Sequence, residues 1–325
     1  MIKKILKRRE INLLIFIILL ILLVSLRSHN FLKLKNFGDI FEDTSILLMV
    51  SIAQFMVILI GGIDLSVASG IGLSGMSVAM LNQFYPEIPM LVILLISLII
   101  GFILGSFNGL LVSHANIPPI ITTLGTMSIY RGFIFVMSKG NWVSAHEMSE
   151  TFRDFPKDNP LLLSNLMLIA ITTFIIFAIF IKYTKTGREL YGIGGNETAS
   201  KLVGINIKKI KYISFVLAGI IVGAAGFLWV ARYASAQNET ASGFELQTVA
   251  ACVIGGVSIS GGSGTIWGVL LGSIFMGILN NALTQINISP FWQMAIQGFI
   301  ILIAIIANTL MDQRTQKQIL LRRSK

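Results

Sequence analysis

Long apolar runs alternate along the chain with glycine pairs, proline pairs and short polar clusters. A helix needs about 20 mostly apolar residues to cross about 30 Å of hydrocarbon. Ten segments meet or approach that length: 11–27, 45–62, 66–83, 90–113, 118–138, 161–182, 212–232, 246–257, 264–285 and 291–310, the eighth being short. The breaks carry turn chemistry at Gly61-Gly62, Pro86 to Pro89, Pro118-Pro119, Pro156 to Pro160, Gly261-Gly262 and Ser289-Pro290. The first apolar stretch follows a basic head, shows no small-x-small cleavage site before Arg27 and precedes many further spans, so it reads as an uncleaved first span. The pattern predicts an all-α polytopic membrane protein of about ten transmembrane helices.

Composition agrees: 54% of the 325 residues are hydrophobic and 12% charged, where soluble domains carry about 25% charged residues. The net charge of +10 is explained by placement: five Lys and Arg lie in the head, seven between Lys182 and Lys211, and five in the tail. An even number of spans puts all three clusters on one face, which the positive-inside rule makes the cytoplasm. N- and C-termini are therefore expected there, with a basic head at 1–10, a transmembrane domain at 11–310 containing a long cytoplasmic loop at 183–211, and a basic tail at 311–325. Nucleic acid is not needed to explain the basic excess.

Chemistry-bearing patterns are missing. His29, His114 and His146 stand far apart, and neither H-E-x-x-H nor G-x-S-x-G occurs, so no catalytic set or metal site is expected. Cys252 sits in an apolar run as a small hydrophobe. The Gly192-Ile193-Gly194-Gly195 stretch fails as a dinucleotide fingerprint, because Glu197 occupies the third glycine position and no strand precedes it. With no G-x-x-x-x-G-K-[ST] present, no cofactor is expected on this chain, and any ATP used is hydrolysed by a partner.

Within the basic loop, Asn196 suits the N-cap of a helix of about two turns, Thr198 to Val203, with Gly204 as its C-terminal stop and the upstream glycines as bends. Such a helix is unstable by itself in water and suits a knob that docks into a partner's groove; an ordinary solvated loop is the alternative. Polar residues near or in the spans are candidates for a substrate pathway or gate. Asp64 either gates or caps the third span with help from Ser66. Arg131 either snorkels or pairs with Glu245. Asn108 and Asn280, beside glycines, either bond neighbouring helices or line a pore. Gly101, Gly105 and Gly109 recur every fourth residue and predict close helix packing, at a dimer interface or internally. GGIDLSVASG at 61–70 and GGVSISGGSG at 255–264 echo each other.

GGIDLSVASG, ITTLGTMSIYRG, GRELYGIGGNETASKLVGI and TVAACVIGGVSISGGSGTIWG, in that order, resemble the permease subunit of ATP-binding-cassette sugar importers of the ribose type, and more distantly branched-chain amino acid permeases. The resemblance implies a homo- or heterodimer of permease subunits in a bacterial cytoplasmic membrane, with separate ATPase subunits and an extracytoplasmic sugar-binding protein. It places coupling to the ATPase on Gly187, Arg188, Gly192, Gly194, Asn196, Ala199 and Gly204. FEDTSILLMV, AHEMSETFRDFP, RYASAQNETASGFELQTVAACVIGG and NISPFWQMAIQG are similar to rhamnose permeases, so the implied cargo is a monosaccharide, rhamnose first. Ribose and the furanose quorum signal autoinducer remain alternatives, since Gly61-Gly62 stands where rhamnose permeases have an Arg-Cys pair. An ion-coupled carrier is the rival outside this class, and it needs titratable groups deep in the spans, where only Asp64 and Glu245 come near.

Overall fold

The computed structural model describes residues 9–27, 29–160, 163–289 and 291–306. These form helices α1 (Arg9–Arg27), α2 (Leu34–Leu59), α3 (Val67–Phe84), α4 (Met90–Ser113), α5 (Pro119–Ser138), α6 (Glu150–Asp154), α7 (Asn165–Tyr183), α8 (Lys185–Gly195), α9 (Glu197–Leu202), α10 (Ile207–Tyr233), α11 (Phe244–Ile254), α12 (Ile266–Gln285) and α13 (Phe291–Ile306), with 3-10 turns at His29–Leu32 and Ala145–Glu147. Each of the ten apolar segments falls on a helix. Among the described residues six, on α2, α4, α5, α7, α10 and α12, are long and apolar enough to cross a membrane. The head up to residue 8 and the tail at 311–325 lie outside the described residues, as do residues 307–310 of the tenth segment.

Local chemistry starts and stops these helices. Pro119 opens α5 at a position where its missing N–H costs nothing, and Ser164, Asn206 and Thr265 accept the N–H of Met167, Lys209 and Gly268 as N-caps of α7, α10 and α12. Two boundaries differ from the hydropathy reading. The second helix starts at Leu34 rather than 45, because its polar first turns have partners: Asn36 exchanges hydrogen bonds with Asn281, and Glu42 and Asp43 accept Arg232 of α10 at 2.9 and 3.4 Å. The eighth segment is only the 11-residue α11, which ends inside the body.

α2 and α10 form the inner layer and are mostly buried, whereas α4, α5 and α7 expose broad apolar faces such as Ile99, Phe102 and Ile103. Outward-facing apolar residues of this kind suit contact with lipid rather than water. The inner layer is held by backbone approach. A Cβ on Gly101 would fall on the Gly219 carbonyl oxygen, and one on Gly105 on that of Phe215; reciprocally, Gly219 and Gly223 meet the carbonyls of Gly101 and Ser97. On its other side α10 packs Gly226 against Ile71 and Gly75 of α3. The small-residue repeat on α4 is therefore an internal contact, its glycine face taken up by α10.

Remote from α8 and α9, residues 139–160 form an ordered cover. Val143 and Ala236 pair as an isolated bridge, Glu147 and Ser144 form a capping box, Ser149 bonds Asn82, and Phe152 packs on Phe227 at 5.4 Å. Gly105→Ala is expected to cost about 3 kcal/mol by forcing α4 off α10, whereas Gly132→Ala, facing open space on α5, is neutral. Thermal melting of the detergent-purified protein checks this pair.

Candidate functional site

The long basic loop is a helical elbow. α8 begins at Thr184, whose Oγ1 accepts the Gly187 N–H at 3.0 Å, and a Cβ on Gly187 would strike the Phe180 and Ile181 carbonyls, so the sharp turn out of α7 requires glycine. Arg188 is exposed and donates to Tyr183 O. Asn196 joins the two helices as expected: its Oδ1 accepts the Ala199 N–H at 2.9 Å, opening α9. Gly204, at φ +86°, ends the elbow in the left-handed region that glycine adopts freely. Leu202 and Val203, 84% and 78% exposed, form an apolar tip beside Lys201.

Gly192 and Gly194 are not bends, contrary to the sequence reading; both lie inside α8. Gly192 makes room for Ser200 of α9, and a Cβ on Gly194 would fall on the Leu59 carbonyl at the end of α2. Gly261 in turn lies against Gly61, and Gly262 N–H donates to Leu59 O at 3.0 Å. The two echoing glycine stretches thus meet beneath α8. Tyr191 OH adds a bond to Gly264 O at 3.0 Å, and burial raises its pKa, keeping it a donor at neutral pH. The C-terminal end of α8 thus rests by backbone contact on the end of α2 and on the turn between α11 and α12, with the Tyr191 side chain bracing the second contact.

Above this seat Asp64 lies where expected, between the end of α2 at Leu59 and the start of α3 at Val67, and it is buried within the body. Non-helical backbone at such depth needs internal partners. Gln54, with its amide oriented to satisfy both groups, donates to the Asp64 carbonyl and accepts its N–H at 3.0 and 3.1 Å. Thr123 Oγ1 donates to Ile63 O. Asp64 Oδ1 accepts from Ser66 N and Ser66 Oγ at 2.8 and 2.6 Å, closing the turn ahead of α3 instead of capping its first N–H groups. Ser66 Oγ accepts from Asn108 Nδ2 at 2.8 Å, and Tyr130 OH donates to Leu104 O and Asn108 Oδ1 at 2.9 and 3.4 Å. Three candidates, Asp64, Ser66 and Asn108, therefore share one buried network joining α3, α4 and α5.

The remaining candidates lie toward the opposite end. Arg131 Nη1 donates to the carbonyls of Asn238 and Thr240 at 2.8 and 3.0 Å, bracing the segment after α10 instead of pairing with Glu245. The two residues line one cavity with Glu239, and Glu245 Oε2 is buried without a hydrogen-bond partner. Asn280 bonds Gln247 and Gln297, as the interhelical reading expects. Gln54, Thr123 and Tyr130 were not found from sequence; a lone glutamine within the apolar run 45–62 was the available signal for the first.

A profile of the family described as branched-chain amino acid transport system, permease component, matches residues 36–305. The chain belongs to this permease family. It is similar to the ribose import permease protein RbsC of Escherichia coli (strain K12), 35% identical over 297 residues that cover 91% of this chain and 92% of the relative. The galactose/methyl galactoside import permease protein MglC of Haemophilus influenzae is 33% identical, covering 91% and 93%, and the autoinducer 2 import system permease protein LsrC of Enterobacter sp. (strain 638) is 31% identical, covering 92% and 86%. None of these three names rhamnose. No solved structure matches the chain. Among the described residues no cluster of His, Cys, Asp or Glu could hold a metal ion.

Asp64→Ala in this permease leaves two buried Ser66 donors without their acceptor and is expected to cost about 1–3 kcal/mol. Asp64→Asn keeps an acceptor oxygen and is expected to lose less than half as much; the melting temperatures of the two purified variants decide.

Proposed function

We propose that the chain is the membrane-spanning subunit of an ATP-binding-cassette importer in a bacterial cytoplasmic membrane. A second copy or a related permease completes the pore, an extracytoplasmic binding protein delivers a monosaccharide, and separate ATPase subunits drive transport. The sugar-importer names of the relatives support the substrate class. The rhamnose-like stretches put rhamnose first, with ribose and the furanose signal next.

The observation that carries the reading is the elbow. A two-turn helix with an exposed Leu202-Val203 tip and basic flanks suits a protein groove better than water. Behind it, the end of α8 meets the end of α2 and the α11–α12 turn through backbone contacts at Gly194 and Gly195, which leave little slack to absorb movement. Closure of the ATPases would tilt the elbow, shift both turns together and re-angle the inner helices toward alternating access. With the basic elbow on the ATPase side, both termini would face the cytoplasm and all ten apolar helices would belong to the pore-forming bundle. An ion-coupled carrier is disfavoured because Asp64 is held by Ser66 in a closed network rather than facing an open path.

In the assembled transporter, a photoreactive group at Leu202 is expected to cross-link to the ATPase, and Leu202→Asp to lower ATP-driven sugar uptake by about tenfold or more at unchanged permease abundance. Labelling of Leu202 only from outside the cell, or uptake that survives ATP depletion and collapses with the proton gradient, would contradict the reading.

A further inference from the structure

At the end remote from the elbow, α2, α10, α11, α12 and α13 line a half-open cavity of about 340 Å³. Trp229 in its wall stands roughly 33 Å along α10 from Ile207 at 1.5 Å per residue. One side is aromatic: Trp229 has Tyr233 and Phe244 against it, with ring centroids 5.2 and 4.8 Å away. The other side is a closed ring of amides from three helices. Gln247 Nε2 donates to Gln297 Oε1 at 3.4 Å, Gln297 Nε2 to Asn280 Oδ1 at 3.0 Å, and Asn280 Nδ2 to Gln247 Oε1 at 3.3 Å. Asp43 lies at the rim, its carboxylate 3.4 Å from Arg232.

Each primary amide has two N–H donors and an oxygen with two lone pairs. The ring uses one donor and one lone pair from each residue, which holds the three side chains in place and leaves each with a donor and an acceptor for a ligand. A sugar hydroxyl needs that mixed pair, since it both donates and accepts. The C–H face of a sugar ring is apolar and suits one face of an aromatic ring such as Trp229 opposite. The volume lies at the small end of ligand cavities, the size of one ring rather than a chain of them.

The charge balance selects among small solutes. An amino acid brings a carboxylate that would have to compete with Glu42 and Asp43 for Arg232, the cation beside the cavity among the described residues, which they hold through Nη2 at 2.9 and 3.4 Å. The cavity therefore favours a neutral polyhydroxylated ring.

We propose that this cavity is a subsite for one neutral monosaccharide, with Trp229 stacked on the ring and Gln247, Asn280 and Gln297 bonding its hydroxyls. The proposal rests on the sugar-permease reading and locates cargo on this chain.

The test is uptake of labelled rhamnose, ribose and galactose, with leucine as the charged comparison, by the complete transporter reconstituted in liposomes. The wild type is expected to import at least one of the sugars and no leucine. Trp229→Ala and Gln297→Met, which keeps the side-chain length, are each expected to lower uptake of that sugar by about tenfold, and Trp229→Phe by less than about threefold. Gel filtration and melting of each purified variant check folding, and if Trp229→Ala does not fold, Gln297→Met decides. Wild-type sugar uptake that Gln297→Met leaves unchanged overturns the subsite and keeps the permease reading. A wild type that imports leucine and none of the sugars overturns the sugar reading itself, and the subsite with it.

Discussion

The backbones of α4 and α10 meet with only Cα hydrogens between them, and most of the architecture depends on that approach. Lipid tails are as apolar as leucine side chains, so helices in a bilayer gain little by hiding apolar surface from it and rely on dispersion and backbone proximity. Gly101 and Gly105 on α4 and Gly219 and Gly223 on α10 supply the proximity. Because α10 also packs Gly226 against α3, one helix aligns two others. Its first turn receives the chain from the elbow and its last turns wall the amide-lined cavity, so both ends of the molecule are referred to the same rigid rod.

Glycine serves a second purpose at the elbow seat, where three stretches distant in sequence come within backbone contact. A helix end resting on side chains can move while rotamers adjust; one resting on carbonyl oxygens cannot move without shifting them. The buried polar network lies just beyond the seat. Gln54, Asp64, Ser66 and Asn108 satisfy a stretch of broken helix that would otherwise leave backbone groups unpaired in an apolar interior. Polar residues that looked like a pathway from sequence are thus also the structural condition for a chain that turns back inside the body.

Several features were legible because they rest on local rules. The Asn196 cap and the Gly204 stop lie within a few residues of the groups they satisfy, and spacing alone revealed them. The four-residue repeat at Gly101, Gly105 and Gly109 announced close packing for the same reason. Its partner was not legible, since nothing within α4 distinguishes a neighbour in the same chain from a second subunit. The early start of α2 escaped a hydropathy ruler because Arg232, nearly 190 residues away by number, pairs with Glu42 and Asp43 near its start.

The sequence by itself determined the solvent of this protein, its helical class, the position of its apolar segments and the capped elbow, because each follows from composition or from interactions spanning one or two helical turns. Only the tertiary structure decided that Gly194 is a contact rather than a bend, that Arg131 braces carbonyls instead of Glu245, and that Gln247, Asn280 and Gln297 form one ring. Those outcomes depend on which helices become neighbours. That choice is made by the summed packing of the whole bundle, and no single segment carries it.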